Sequence, residues 1–115
     1  MKQFLKVMKA AGDPTRVKIL KMLEQKTMCV CEIQTGLGIA QSTTSKHLKI
    51  LEDAGLVTSR KDGLWVNYAL DDGRDSPFAA NLLEKMRHWL NEDPEIARIA
   101  RTVKILDRYE ILNKN

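Results

Sequence analysis

Cys29 and Cys31, separated by Val30, are the only 2 cysteines in 115 residues. A thiolate is a soft ligand that suits thiol-seeking ions, and two at this spacing can chelate one ion if the backbone between them is not locked in a helix. Other fates compete with this one. Free cysteines often serve as small buried hydrophobes, and an accessible pair can be oxidised or persulfidated. A structural disulfide is a poor option, because the ring closed by residues so near in sequence is tiny and strained, so a reducing compartment fits best.

Position bears on the choice. The pair lies at the start of a short helical segment, where the positive end of the helix dipole favours thiolate over thiol. In an ideal helix, residues i and i+2 point about 200° apart, so their sulfurs diverge although their Cα atoms are only about 5 Å apart. Chelation is therefore expected to unwind the first turn. Zinc is disfavoured, because it wants four ligands and the only histidines are His47 and His88. His47 is expected to make a phosphate or structural hydrogen bond, and His88 to lie on a surface or interface.

Catalytic arrangements are missing from the pattern. Dithiol oxidoreductases use Cys-x-x-Cys at a helix start in an α/β fold, and this chain has neither that spacing nor the strands for such a sheet. No Gly-rich phosphate loop occurs and no carboxylate pair stands out, so an enzyme is not expected.

The elements that must carry the cysteines are well marked. Asp13-Pro14, Ser76-Pro77 and Asp93-Pro94 each set a capping side chain before a proline, the arrangement favoured at helix starts. They predict helices from about Pro14 to Gln25, Pro77 to Asn91 and Pro94 to Leu112. Phe4, Met8 and Ala11 recur at helical spacing and predict a further helix over Lys2 to Ala11, ended by Gly12. A short helix over Val30 to Leu37, which Gly36 and Gly38 help to end, is followed after a turn by a helix over residues 41–53. Its inner face carries Thr44, Leu48 and Leu51. Two short helices so joined, the second starting with hydroxyls and basic in its middle, describe a helix-turn-helix.

In that motif the second helix enters the major groove. Gln41, Ser42, Thr43 and Ser45 are placed to approach base edges, and Lys46, His47 and Lys49 to meet phosphates. Strand-like runs over Leu56 to Arg60 and Leu64 to Leu70 flank Asp62-Gly63, a hairpin signal, and put Arg60 and Lys61 near the tip. The fold class is therefore mainly α with a small β-hairpin, a winged helix-turn-helix in a single domain spanning residues 1–115.

Charge agrees with a polyanionic partner. The net charge is +4, and residues 1–26 hold 7 Lys or Arg against 2 acids, whereas residues 69–95 hold 3 against 7. The hydrophobic share of 43% and charged share of 30% are those of a soluble globular protein. No run approaches the roughly 20 apolar residues of a membrane span, and the lysine-interleaved opening lacks the core of a secretory signal. A cytoplasmic location is expected. The last two helices carry apolar stripes, Phe78, Leu82, Met86 and Trp89 in one, and Ile96, Ile99, Ala100, Val103, Leu106 and Tyr109 in the other. The final stripe is expected to bury against a second copy.

The stretch MCVCEIQTGLGIAQSTTSKHLKILEDAGLVTSRKDGLWVNYAL resembles the core of the bacterial ArsR/SmtB family of metal- and metalloid-responsive repressors. The matching elements are the CVCE run, the Gln-Ser-x-x-Ser-Lys-His-Leu start of the reading helix, the Leu-Glu-Asp-Ala-Gly-Leu-Val exit and the Gly-x-Trp-Val-x-Tyr wing. Asp13-Pro14-Thr15-Arg16 also resembles the family's early helix start. The resemblance covers about residues 10–70. It implies a homodimer, built through N- and C-terminal helices over 1–12 and 77–112, that binds double-stranded operator DNA, represses transcription and leaves when an inducer binds. In the arsenic-responsive branch, the residues matching Cys29 and Cys31 bind trivalent arsenic or antimony, with no obligatory cofactor. Gln34 stands where many of those sequences carry a third cysteine. The His and carboxylate ligands of the family's zinc-responsive C-terminal helix have no match, since residues 94–115 contain no histidine. A repressor responding to thiol oxidation or another effector remains the alternative.

Overall fold

The computed structural model describes residues 1–106 and Ile111. Among these residues the order is α1 (Lys2–Ala11), α2 (Pro14–Leu23), β1 (Met28–Cys29), α3 (Val30–Leu37), α4 (Gln41–Asp53), β2 (Val57–Asp62), β3 (Trp65–Leu70), α5 (Pro77–Met86) and α6 (Pro94–Ile105).

All three cap-proline starts are formed. Asp13 Oδ2 accepts the Arg16 N–H at 3.0 Å, Ser76 Oγ accepts that of Ala79 at 3.2 Å, and Asp93 Oδ1 accepts those of Glu95 and Ile96 at 2.9 and 3.2 Å. Each cap satisfies amides that the first helical turn leaves without a partner.

Val7, Ile19, Leu20, Met22, Met28, Ile33, Leu48, Leu51, Leu56 and Val57 form a fully enclosed centre, contributed by the first four helices, β1, and β2 with the residue before it. Gly36 lies within α3 rather than at its end. A Cβ there would stand 2.7 Å from Met22 Cε and 3.0 Å from Leu106 Cδ1, so glycine is what lets α3 approach α2 and the end of α6. Gly38, at φ 70°, ends α3, and its N–H donates to the Gln34 carbonyl at 2.8 Å.

The structure extends one expectation and corrects three others. First, the hairpin belongs to a three-stranded antiparallel sheet in the order β1-β3-β2, with Met28 opposite Tyr68 and Cys29 opposite Asn67. Second, the strands flank a two-residue loop, Gly63-Leu64, with Asp62 opposite Trp65. Gly63 takes φ 60°, the positive angle required at the first position of a type II′ turn. Arg60 and Lys61 therefore sit inside β2, opposite Asn67 and Val66, just before the tip.

Third, α5 stops at Met86 instead of Asn91. The buried ammonium of Lys21 accounts for this, donating to the carbonyls of Met86 at 2.7 Å and Trp89 at 2.9 Å while pairing with Glu24 at 2.9 Å. Leu90 beyond it adopts φ 66°, which helical continuation forbids. Trp89 and His88 thus lie past the helix and are exposed.

Fourth, the stripe of α6 is covered within the protomer. Ile96, Ile99 and Val103 are 7%, 2% and 1% exposed, and α6 packs on α2 and α3. α6 ends at Ile105, and Leu106 after it has an extended backbone and a carbonyl that accepts the Lys26 ammonium at 2.8 Å. Tyr109 and Leu112 lie outside the described residues. Ile105 at the end of α6 stays exposed, and further apolar surface is open on α1 and α5, where Phe4, Leu5, Met8 and Phe78 are exposed and the Phe4 and Phe78 rings meet edge to face at 5.4 Å.

Candidate thiol site and nucleic-acid interface

Cys29 ends β1 and is the residue preceding α3, with φ −87° and ψ 168°. It is therefore extended, and the divergence expected for two helical residues does not apply. The sulfurs of Cys29 and Cys31 lie 2.8 Å apart, within a first turn that remains helical from Val30 onward. Unwinding is not needed to bring them together.

Glu32 fixes this geometry. Its Oε1 accepts the Cys29 N–H at 3.0 Å, and Oε2 lies 4.0 Å from the Lys26 ammonium. The carboxylate is almost fully buried, so it acts as a rigid N-terminal cap for α3. The thiolate expectation fails for Cys29: burial, the hydrogen bond with Cys31 and the adjacent Glu32 push its thiol up to about 12. The helix N-terminus is outweighed because Cys29 is only 2% exposed and its nearest charge is an anion.

Cys31 is more open. A cavity of about 260 Å³ lies between the two cysteines, Val30, Gln41 and the wing-tip residues Leu64, Trp65 and Val66. It thus joins the thiol pair to the first residue of α4 and to the hairpin tip. Among the described residues, no group of three or more His, Cys, Asp or Glu side chains is gathered to hold a metal ion. Gln34 lies one turn beyond Cys31 on α3.

The outer face of α4 has the expected character. Gln41, Ser42, Thr43, Ser45, Lys46 and Lys49 are exposed, whereas Thr44, Leu48 and Leu51 are buried. Lys49 pairs with Asp53 at 3.2 Å on the same helix. On the wing, Arg60 and Lys61 are exposed on successive positions and so face opposite sides of the sheet.

His47 is held differently. Its Nδ1 lies 3.2 Å from Arg16 Nη1, a contact whose donor and acceptor roles follow the tautomer of the ring. Arg16 also donates from Nε to the Ala10 carbonyl at 2.6 Å and from Nη2 to the Lys9 carbonyl at 3.3 Å. One side chain thereby fastens the end of α1 and the start of α2 to the reading helix. In the sequence Arg16 reads only as part of a helix start, because its reach to His47, 31 residues away, leaves no local signal.

The sequence profile described as "Bacterial regulatory protein, arsR family" matches residues 13–59. An uncharacterized HTH-type transcriptional regulator, MJ1325 of Methanocaldococcus jannaschii, is 51% identical over 69 residues, covering 59% of this chain and 78% of that one. The arsenical resistance operon repressor of Escherichia coli K12 is 32% identical over 100 residues, covering 86% and 83%. Among solved structures, the homodimeric winged helix-turn-helix DNA-binding domain Mb0332 of Mycobacterium bovis superposes with a TM-score of 0.65 at 29% identity, covering 76% of this chain and 77% of that one. The reading helix, the wing and these relationships together establish that the chain belongs to the ArsR family and is a DNA-binding transcriptional regulator, not an enzyme.

Proposed function

We propose that this regulator is a cytoplasmic homodimeric repressor that leaves its operator when trivalent arsenic or antimony bridges Cys29 and Cys31. The observation that carries the reading is the convergence of the two sulfurs at 2.8 Å, at the joint between the wing sheet and the support helix α3. The E. coli relative named as an arsenical resistance operon repressor supports the choice of inducer.

Binding exchanges two thiol protons for two bonds to the ion, with water leaving from the oxygen ligands it carried. Tying both sulfurs to one ion that also carries a third ligand displaces the pair against the Glu32 cap on one side and β1 on the other. α3 leads through residues 38–40 into α4, so the displacement reaches the reading helix. Release follows only if the loaded state has the lower affinity for DNA, since a ligand shifts an equilibrium by its differential binding alone.

Gln41, Ser42, Thr43 and Ser45 face base edges in this reading, with Lys46, His47, Lys49, Arg60 and Lys61 along the backbone. The open apolar faces of α1 and α5 pair with those of a second copy. A twofold dimer presents two reading helices to successive major grooves.

The test is an anisotropy titration of operator DNA with wild type and Cys29→Ser, with and without arsenite. Arsenite is expected to weaken wild-type binding at least tenfold and to leave Cys29→Ser unchanged. If wild-type affinity is insensitive to arsenite, the metalloid reading fails while the DNA-binding one stands. Release by oxidant alone favours a redox effector.

A further inference from the structure

We infer that the thiol site is shaped for a monosubstituted trivalent arsenical, R–As, whose organic group occupies the cavity beneath the wing tip. The inference rests on the reading of Cys29 and Cys31 as the arsenic ligands and deepens it. Two observations carry it. The chain supplies two convergent thiols, and Gln34 stands one turn further along α3. Trivalent arsenic takes three ligands, and an amide is a poor one; a carbon substituent already bonded to arsenic completes the set without a third protein donor.

The second observation is what lies beside the sulfurs. Val30, Leu64, Trp65 and Val66 give the cavity of about 260 Å³ a mainly apolar wall, with Gln41 as its polar edge. Trp65 is partly buried there, and Leu64 is 98% exposed at the rim. Hydroxide, the third ligand of arsenite, gains nothing from such a wall. A methyl group fills part of the space, and a phenyl ring is small enough for the whole. The chemistry balances without an oxidant: R–As(OH)2 and two thiols give R–As(S-Cys)2 and two waters, with two As–O bonds replaced by two As–S bonds. An occupant in contact with Trp65 and Gln41 would also touch the wing and the reading helix together.

Dithiothreitol is the reference for the test, because it offers two thiols and no cavity. Wild-type protein is equilibrated with the dithiothreitol adducts of arsenite, methylarsonous acid and phenylarsine oxide, and the protein-bound fraction is read by intact mass spectrometry and by arsenic content. Thiol chemistry cancels in each exchange constant, leaving the contribution of the wall. Each buried methylene-sized group strengthens association roughly fourfold. The constant is therefore expected to rise from arsenite to methyl to phenyl, by at least tenfold over the last step. Leu64→Ser and Trp65→Ala should reduce that step and leave the arsenite value unchanged. Should Trp65→Ala fail to fold, the wild-type series and Leu64→Ser decide. A flat or falling series, or a step unaltered by both variants, overturns the inference. If arsenite exchanges but the organic forms do not, the inference fails and the cysteine site stands; if none exchanges, both fail.

Discussion

Cys29 stands opposite Asn67 in the β1–β3 ladder, so the thiol site is hydrogen-bonded into the wing as well as capped onto the support helix. A change at the sulfurs has two routes to DNA. One passes along α3 into α4, and the other through β3 to the hairpin. Arsenite is accordingly expected to shift the amide resonances of residues 65–70 as strongly as those of α4. The check is a nitrogen-correlated NMR titration. Shifts confined to α3 and α4 would remove the wing from the mechanism.

The cap on α2 supplies a pH-dependent prediction. Burial raises the Asp13 carboxyl, but the Arg16 amide hydrogen bond, the charges of Arg16 and His47 and the Thr15 amide outweigh it, leaving its pKa below the ordinary 3.8. A folded-state value below the unfolded one means stability that is present above about pH 4 and lost as pH falls through the folded value. Asp13→Ala should cost about 1 kcal/mol at pH 7. The gap between wild type and variant in urea unfolding should shrink below pH 3.8 as the carboxylate protonates. A gap independent of pH would mean that the charged cap is not the source.

How much of this was legible from sequence follows from the range of the interactions. The starts at Asp13, Ser76 and Asp93 were readable because cap and amide lie two or three residues apart. The inner face of α4 was readable because its period is local. Strand β1 was not, since 2 residues carry no alternation and become a strand only by meeting Tyr68 and Asn67. The same omission underlies the expectation of diverging sulfurs, which applies helical geometry to a residue that stands just ahead of the helix. The end of α5 depends on Lys21, 65 residues away from Met86. The α6 stripe looked available because its period shows that it is buried, not by what.

Lys21 gives a second stability prediction. Its side chain is 5% exposed and ties α2 to the exit of α5 through two carbonyls and Glu24. Lys21→Met keeps the stem and removes the ammonium, leaving two carbonyls and a largely buried carboxylate without that partner. A loss of about 2–3 kcal/mol is expected in urea unfolding, below the full cost of a buried unpaired charge because Glu24 retains some solvent. Little or no loss would show that water replaces the ammonium readily.

Lys46 and Arg16 should separate phosphate contact from helix positioning. Lys46 is exposed on the outer face of α4, so Lys46→Ala should weaken binding to all sequences and reduce the salt slope by about 0.9 per lost phosphate contact. Arg16 reaches the interface only through His47, Ala10 and Lys9. Arg16→Ala should weaken operator binding with the salt slope unchanged. DNA-binding isotherms at several salt concentrations make the comparison, and a reduced slope for Arg16→Ala would place its charge on the DNA itself.

The open face of α1 and α5 gives the prediction on assembly. Phe4 and Phe78 are 41% and 39% exposed, and their edge-to-face contact joins two helices into one apolar surface with Leu5 and Met8. An apolar patch left exposed on a protomer is the expected mark of an interface. Phe78→Glu sets a charge at its middle, and desolvating that charge across the twofold axis opposes association. Sedimentation should show wild type as a dimer and Phe78→Glu shifted to monomer by at least a hundredfold in dissociation constant. Operator affinity should fall with it, because a single reading helix covers only one half-site. The fold itself should persist, with unchanged far-ultraviolet circular dichroism, since Phe78 lies outside the enclosed centre formed by Leu48, Leu51 and their neighbours. A Phe78→Glu variant that remains dimeric would move the interface off this face and onto another part of the molecule.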